Sequence, residues 1–217
     1  MRTYSKLILA ALAATAILAL AVGSASAGRL RLSERNFELI WDNALPGKAN
    51  YEFLDLFNGI NIQCRLTMLG RWVETTIAKR PGIRQGTINH NEMSECEGGS
   101  VTIKNETLPW NIQYRSFSGT LPRITRISIE LIGARYHIRE PSGIECELGT
   151  EASHPAVGIF ENGLESTGEP ENITADRNAR IPLRGSFPCA LAGEGEFGGI
   201  GLFRNLPRTA KIRITLI

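Results

Sequence analysis

Residues 193–199 read GEGEFGG, and Gly193, Gly195 and Gly198 fall at the G-x-G-x-x-G spacing that cradles the pyrophosphate of a dinucleotide. That chemistry needs a strand running into the glycines and a helix leaving them, so that N–H groups at the helix start meet the phosphates. It also needs an acidic residue about twenty positions on for the ribose. The following stretch, GIGLFRNLPRTAKI, has Pro207 and no helical period, and no Asp or Glu follows Glu196. Dinucleotide binding is therefore excluded. The alternation Gly193, Gly195, Gly199, Gly201 predicts instead a strand bare of side chains on one face, against which a backbone or a large ring packs closely.

Other residue types that could do chemistry are present without a constellation to hold them. His90-Asn91-Glu92 with Glu95 would offer imidazole and carboxylate ligands on a loop, but His90, His137 and His154 stand far apart, and no C-x-x-C occurs. No metal and no cofactor is expected. There is no G-x-S-x-G elbow for a serine nucleophile. Glutamates are numerous enough for the acid and base of a polysaccharide hydrolase, yet nothing in the spacing singles out a pair. Glu194 and Glu196 are expected to be solvent-facing or sheet-edge charges. The segment LPWNIQYRSF supplies Trp110 and Tyr114, and Trp72 lies just past an expected turn at Leu69-Gly70-Arg71. These three rings are the candidate ligand contacts, as platforms on which sugar C–H faces stack. For Trp110 and Tyr114, the intervening Ile112 on the same strand face favours core packing instead. Trp72 is the aromatic expected to be exposed.

The N-terminus reads as an export signal. MRTYSK is basic, Leu7–Val22 is an uncharged apolar run of 16 residues, and Ala25-Ser-Ala27 is a small-x-small cleavage site. Residues 1–27 are thus expected to be a secretory signal peptide, and 28–217 a single β-rich domain without a membrane span. Removing Arg2 and Lys6 from the 24 basic residues leaves 22 against 22 acidic, a net charge of zero. An interspersed, neutral surface gives no field to gather phosphates, which argues against nucleic acid and polybasic membrane binding. In an exported chain, the four cysteines Cys64, Cys96, Cys146 and Cys189 are expected to form two disulfides. Sequential pairing, Cys64–Cys96 and Cys146–Cys189, closes the shorter loops, each contributing about 3–4 kcal/mol in the chain-entropy picture.

The elements that would position these residues are strands. Ile60, Ile62, Cys64, Leu66 and Met68 alternate with Asn61, Gln63, Arg65 and Thr67 at the two-residue period of a half-buried strand. Trp72–Lys79, Ile83–Ile88 and Tyr51–Phe57 read as further strands. In Arg123–Arg139 the apolar set shifts phase after Gly133, which predicts a bulge or a bend from one sheet to another. Ala210–Ile217 alternates again and could be an exposed edge. Glu161–Asn178, poor in apolar residues, reads as a long surface loop. Gly and Pro breaks recur every eight to twelve residues or so, as in an all-β fold.

At Cys96-Glu-Gly98-Gly99, Glu106-Thr-Leu-Pro-Trp110, Ser116-Phe-Ser-Gly119-Thr-Leu-Pro122 and Cys189 followed by Gly193, Phe197, Gly199 and Gly201, the chain resembles a group of secreted bacterial β-rich proteins without an assigned activity. The resemblance would cover most of residues 36–217. It implies an exported β-rich domain and transfers no catalytic residue.

The expected fold is all-β, an antiparallel two-sheet sandwich or flattened barrel with two disulfides. The expected role is a secreted or envelope-associated, non-catalytic binding or structural module, with a glycan or a surface partner as its ligand. The alternatives are an extracellular polysaccharide hydrolase using paired glutamates and a surface protein that self-associates through strand edges.

Overall fold

The computed structural model describes residues 29–55, 59–120, 123–161, 163–185, 187, 189, 193–206 and 210–216; the expected signal peptide, residues 1–27, lies outside them. Eight strands form a closed antiparallel barrel: β2 (Asn36–Trp41), β4 (Ile60–Trp72), β6 (Arg84–Glu97), β8 (Trp110–Thr120), β9 (Arg123–Ile132), β12 (Ala156–Glu161), β13 (Asn172–Ala175) and β16 (Ile200–Asn205). Each pairs with the next in that order, and β16 pairs back onto β2 through Leu202 opposite Ile40 and Asn205 opposite Phe37. Closure leaves this sheet without an edge.

Alternate connections of such a barrel lie at the same end, because neighbouring strands run in opposite directions. The four connections at one end all make excursions. Between β2 and β4 lies β3 (Tyr51–Asp55), and between β6 and β8 lies β7 (Ser100–Ile103). Between β9 and β12 lie β10 (Arg135–Arg139) and β11 (Glu145–Gly149), and between β13 and β16 lie β14 (Ile181–Gly185) and β15 (Glu194–Gly198). These six strands pair as β3-β15-β14-β11-β10-β7 and attach to the barrel through β3 on the first half of β4. The phase shift at Gly133 (φ 94°) is the step from β9 in the barrel to β10 in this second sheet. Gly199 (φ 111°) is the return step from β15 to β16. At the opposite end, β1 (Leu30–Leu32), β5 (Thr76–Ile77) and β17 (Ile214–Leu216) form a three-stranded sheet, beside a helical turn α1 (Leu164–Thr167). Both barrel ends are therefore covered.

The disulfides pair as the loop lengths suggest. Cys64–Cys96 bridges β4 and β6 with Cα atoms 4.1 Å apart, beside a bulge between Gln63 and Arg65 where Glu95 adopts a left-handed backbone (φ 50°). Cys146–Cys189 joins β11 to the segment between β14 and β15, with Cα atoms 5.7 Å apart.

Two local expectations change. Leu69-Gly70-Arg71 is not a turn; β4 runs through it to Trp72, with a bulge between Leu69 and Gly70. Gly70 is required for space: a Cβ there would lie 2.2 Å from Cζ of Phe37, whose ring packs across the strand. Glu161–Asn178 is not wholly loop, since Asn172–Ala175 supplies the barrel strand β13. Its apolar content is low because only Ile173 and Ala175 face inward. Ala210–Ile217 does hold an edge: Ile214–Leu216 is the outer strand of the three-stranded sheet, paired with β1, and its Ile214 N–H donates to the Gly168 carbonyl at 2.6 Å.

Glycine at a close approach tests this packing directly. Gly70→Ala is expected to destabilise by about 1–3 kcal/mol through overpacking against Phe37. The measurement is the denaturant midpoint at unchanged m-value; a midpoint equal to wild type would contradict the ring contact.

Candidate functional site

None of the three candidate aromatic contacts presents a ring to solvent. Trp110 is fully buried (0% exposed), with its Nε1 donating to Thr107 Oγ1 at 2.8 Å, and Tyr114 is 5% exposed on the same inward face as Ile112. Trp72 is 1% exposed, where exposure was expected. The reason is the missing turn: as the last residue of β4 it keeps the inward parity and stacks on Phe37, ring centroids 4.9 Å apart. Phe37 in turn meets Phe203, and Phe203 meets Phe160, so a layer of rings fills the barrel near its three-stranded end.

A second ring layer fills the other end. Trp41 meets Tyr51 at 5.0 Å, Tyr51 meets Phe53 and Phe197, Phe53 meets Tyr136, and Tyr136 meets Trp110 at 5.4 Å. Most of these contacts are edge-on, the favoured geometry for buried aromatics. Between the layers remains an apolar void of about 40 Å³, touched by Leu39, Met68, Ile88, Ile112, Ile129 and Ile173. A void that binds a molecule of benzene size is about 150 Å³. The barrel interior is a packed core and not a ligand-holding calyx.

The glycine-rich segment is structural in detail. A Cβ on Gly201 would lie 2.8 Å from the Trp41 ring, and one on Gly199 would lie 2.4 Å from the Asn50 carbonyl. The close approach read from the sequence is thus present, but divided between β15 and β16 and not along one strand. Glu194 is exposed as expected, whereas Glu196 is buried and ion-paired with Arg180. Glu196 projects from β15 on the face opposite Phe197, where Arg180 donates to it. His90 and Glu92 lie on strand β6, not on a loop, and their side chains are exposed. Among the described residues, no three His, Cys, Asp or Glu side chains gather as a metal site.

A larger concavity lies outside the barrel, where the chain passes between the two sheets. It is a groove of about 420 Å³ lined by Glu52 of β3, Arg126 of β9, Ile159 and Glu161 of β12, and Ile200 of β16, with Asp176 and Arg177 from the turn after β13. Gly198 makes room for its central ion pair: a Cβ there would lie 2.5 Å from Glu52 Oε2 and 2.9 Å from Arg177 Nε. Arg177 donates to Glu52, which also accepts from Gln63 Nε2 at 3.4 Å. Asp176 is held by the Asn178 backbone N–H at 3.0 Å and the Asn178 amide at 2.9 Å. The Arg126 Nε–H is buried and has no partner among the described residues. The groove thus offers donors and acceptors of both signs over an apolar floor of Ile159 and Ile200. It was not legible in the sequence, because its residues come from five separate segments; the one local sign was Gly198, the first glycine of the FGG step, read only as part of the G-x-G-x-x-G spacing.

No protein-family model, curated protein or solved structure matches the chain. The reading of function therefore rests on its own geometry.

Burial pushes the Tyr51 and Tyr136 hydroxyls far above their ordinary value, and Tyr114 upward as well. Tyr136 is only partly relieved by a hydrogen bond from Asn91. The folded state thus favours neutral phenols. Their contribution to stability is complete below the unfolded value of about 10 and is lost as pH rises above it. The remaining tyrosine of the chain is Tyr4. In protein produced without residues 1–27, tyrosinate absorbance is expected to rise in one step together with loss of near-UV circular dichroism. Graded ionisation near pH 10 in folded protein would show these rings to be exposed.

Proposed function

We propose that the protein is an exported, non-catalytic binding module of the cell envelope or extracellular space that engages a hydroxyl-rich ligand, a glycan or a glycosylated surface component, in the outer groove. The observation that carries this reading is the groove itself: a concavity of about 420 Å³ with an unpartnered buried Arg126 Nε–H beside carboxylates and an apolar floor. Sites that recognise small polar ligands combine such a floor with a few convergent polar groups. Mixed donors and acceptors suit neutral hydroxyls better than a strongly charged ligand. The filled barrel supports recognition on the outside. Two disulfides fit an oxidising compartment, and no helix among the described residues is long and apolar enough to cross a membrane.

The hydrolase reading draws on the same place, since Glu52, Glu161 and Asp176 bring three carboxylates to one groove. One experiment separates the two. The processed protein, disulfides intact, is incubated with insoluble cell wall and with a panel of insoluble polysaccharides, and both pelleted protein and released sugar are measured. Retention without sugar release is expected, and Arg126→Ala should weaken retention by roughly tenfold, the scale of a lost charged hydrogen bond. Sugar release abolished by Glu161→Gln would replace binding with hydrolysis. Neither retention nor release would remove the glycan as ligand.

A further inference from the structure

The neutral chain does not have a neutral surface. Residues 29–35 and 71–84 carry seven basic residues against two acidic, a net of five positive charges, while the rest of 29–217 carries fifteen basic against twenty acidic. The fold brings these two segments together. Arg31 of β1 pairs in register with Thr76 of β5, and Arg35 donates to the carbonyl of Val73. Arg29 and Arg84 line one groove. The end of β4 adds Arg71, and the segment between β5 and β6 adds Arg80 and Lys79, whose Nζ lies over the Phe117 ring. None of these seven cations stands in an ion pair among the described residues, whereas eleven basic side chains elsewhere do. The two carboxylates of these segments, Glu34 and Glu74, are exposed. On the far side of β17, Glu169 and Glu171 are occupied by Arg213 and Lys211. The charges expected to be interspersed are instead segregated to one end.

Apolar side chains stand within this basic end. Val73 is 44% exposed and Ile83 is 45% exposed, two of the few large hydrophobics that the described residues show to solvent. They flank a groove of about 220 Å³ that also holds Arg29, Glu74, Thr76, Ala78, Arg84 and Gln85, two cations against one carboxylate. Gln85 is only 7% exposed; its Oε1 accepts from the Ala78 N–H, and its Nε2 has no partner among the described residues.

We propose that this end of the barrel docks on an anionic lipid surface. Headgroup phosphates are held by Arg29 and Arg84, whose two charges outweigh that of Glu74 in the same groove, and Val73 and Ile83 enter the headgroup boundary. Cations gather at an anionic leaflet within a Debye length, and apolar side chains among them gain from burial at the interface. A polyanionic glycan would use the cations and leave Val73 and Ile83 idle, which is why lipid is the occupant argued for. The end concerned lies across the barrel from the second sheet and is distinct from the outer groove, so the inference does not depend on the glycan reading.

The test is co-sedimentation of the exported, processed protein, its N-terminus fixed by intact mass, with vesicles of phosphatidylglycerol mixed into phosphatidylcholine and with vesicles of phosphatidylcholine alone. Binding is expected on the anionic vesicles only, and loss of it at about 1 M salt. Arg80→Glu combined with Arg84→Glu should lower partitioning more than tenfold, and Ile83→Ser at unchanged charge by several-fold. Near-UV circular dichroism checks that both variants remain folded, which their exposed positions favour. Equal binding to both vesicle types, or no effect of the double reversal, overturns the proposal. So does capture on an immobilised anionic polysaccharide that is as tight as on vesicles and indifferent to Ile83→Ser, which would make the occupant a polyanion.

Discussion

Everything in this molecule hangs on six rings at the junction of its two larger sheets. Trp41 and Trp110 come from barrel strands, Tyr51, Phe53, Tyr136 and Phe197 from the excursions, and they touch in one continuous chain of edge-on and tilted contacts. Rings of this size dominate core energetics, and truncating one typically costs about 3–5 kcal/mol. The cluster plugs the barrel and at the same time forms the floor on which the second sheet rests. Its existence depends on glycine: Gly199 and Gly201 leave the space into which Trp41 fits. A barrel sealed this way keeps only about 40 Å³ of interior among the described residues, too little for a ligand of benzene size.

The outer walls are uneven. On one flank, the crossing of β15 into β16 opens a groove whose ion pair of Glu52 and Arg177 stands over a glycine. At the three-stranded end, arginines without an ion pair among the described residues surround two exposed aliphatic side chains. On the second sheet, by contrast, cations are matched: Glu147 accepts from Lys104 and Arg135, and the Lys104 hydrogen bond, followed by Arg135, holds its carboxyl below the usual range. A sheet face so neutralised presents little field.

Period-two alternation made the strands legible. Ile60–Met68 and Trp110–Tyr114 alternate cleanly because one side of each faces the core, and the phase jump at Gly133 marked a passage between sheets because a strand that changes sheets must re-aim its apolar face. Sequential disulfides followed from loop length. What remained hidden was spatial. A glycine that admits a neighbouring ring looks in sequence like a glycine that turns the chain, so Gly70 suggested a hairpin and Trp72 an exposed ring. β13 was obscured because a short strand between small-residue neighbours needs only Ile173 and Ala175 to face inward. The outer groove and the charge segregation come from residues far apart in the chain, and net charge carries no record of their arrangement.

The connectivity also divides the contacts by range. Seven of the eight barrel pairings join strands that follow one another in the chain apart from their excursions; the eighth, β16 on β2, sets Leu202 opposite Ile40 and closes the ring across most of the chain. The second sheet is built otherwise: β3, β7, the β10–β11 pair and the β14–β15 pair are delivered by four connections spread from residue 51 to residue 198, whose roots stand side by side on the barrel. Cys64–Cys96 joins adjacent barrel strands, while Cys146–Cys189 joins two different excursions. The two disulfides are in effect seals on successive layers, one within the barrel and one within its cap.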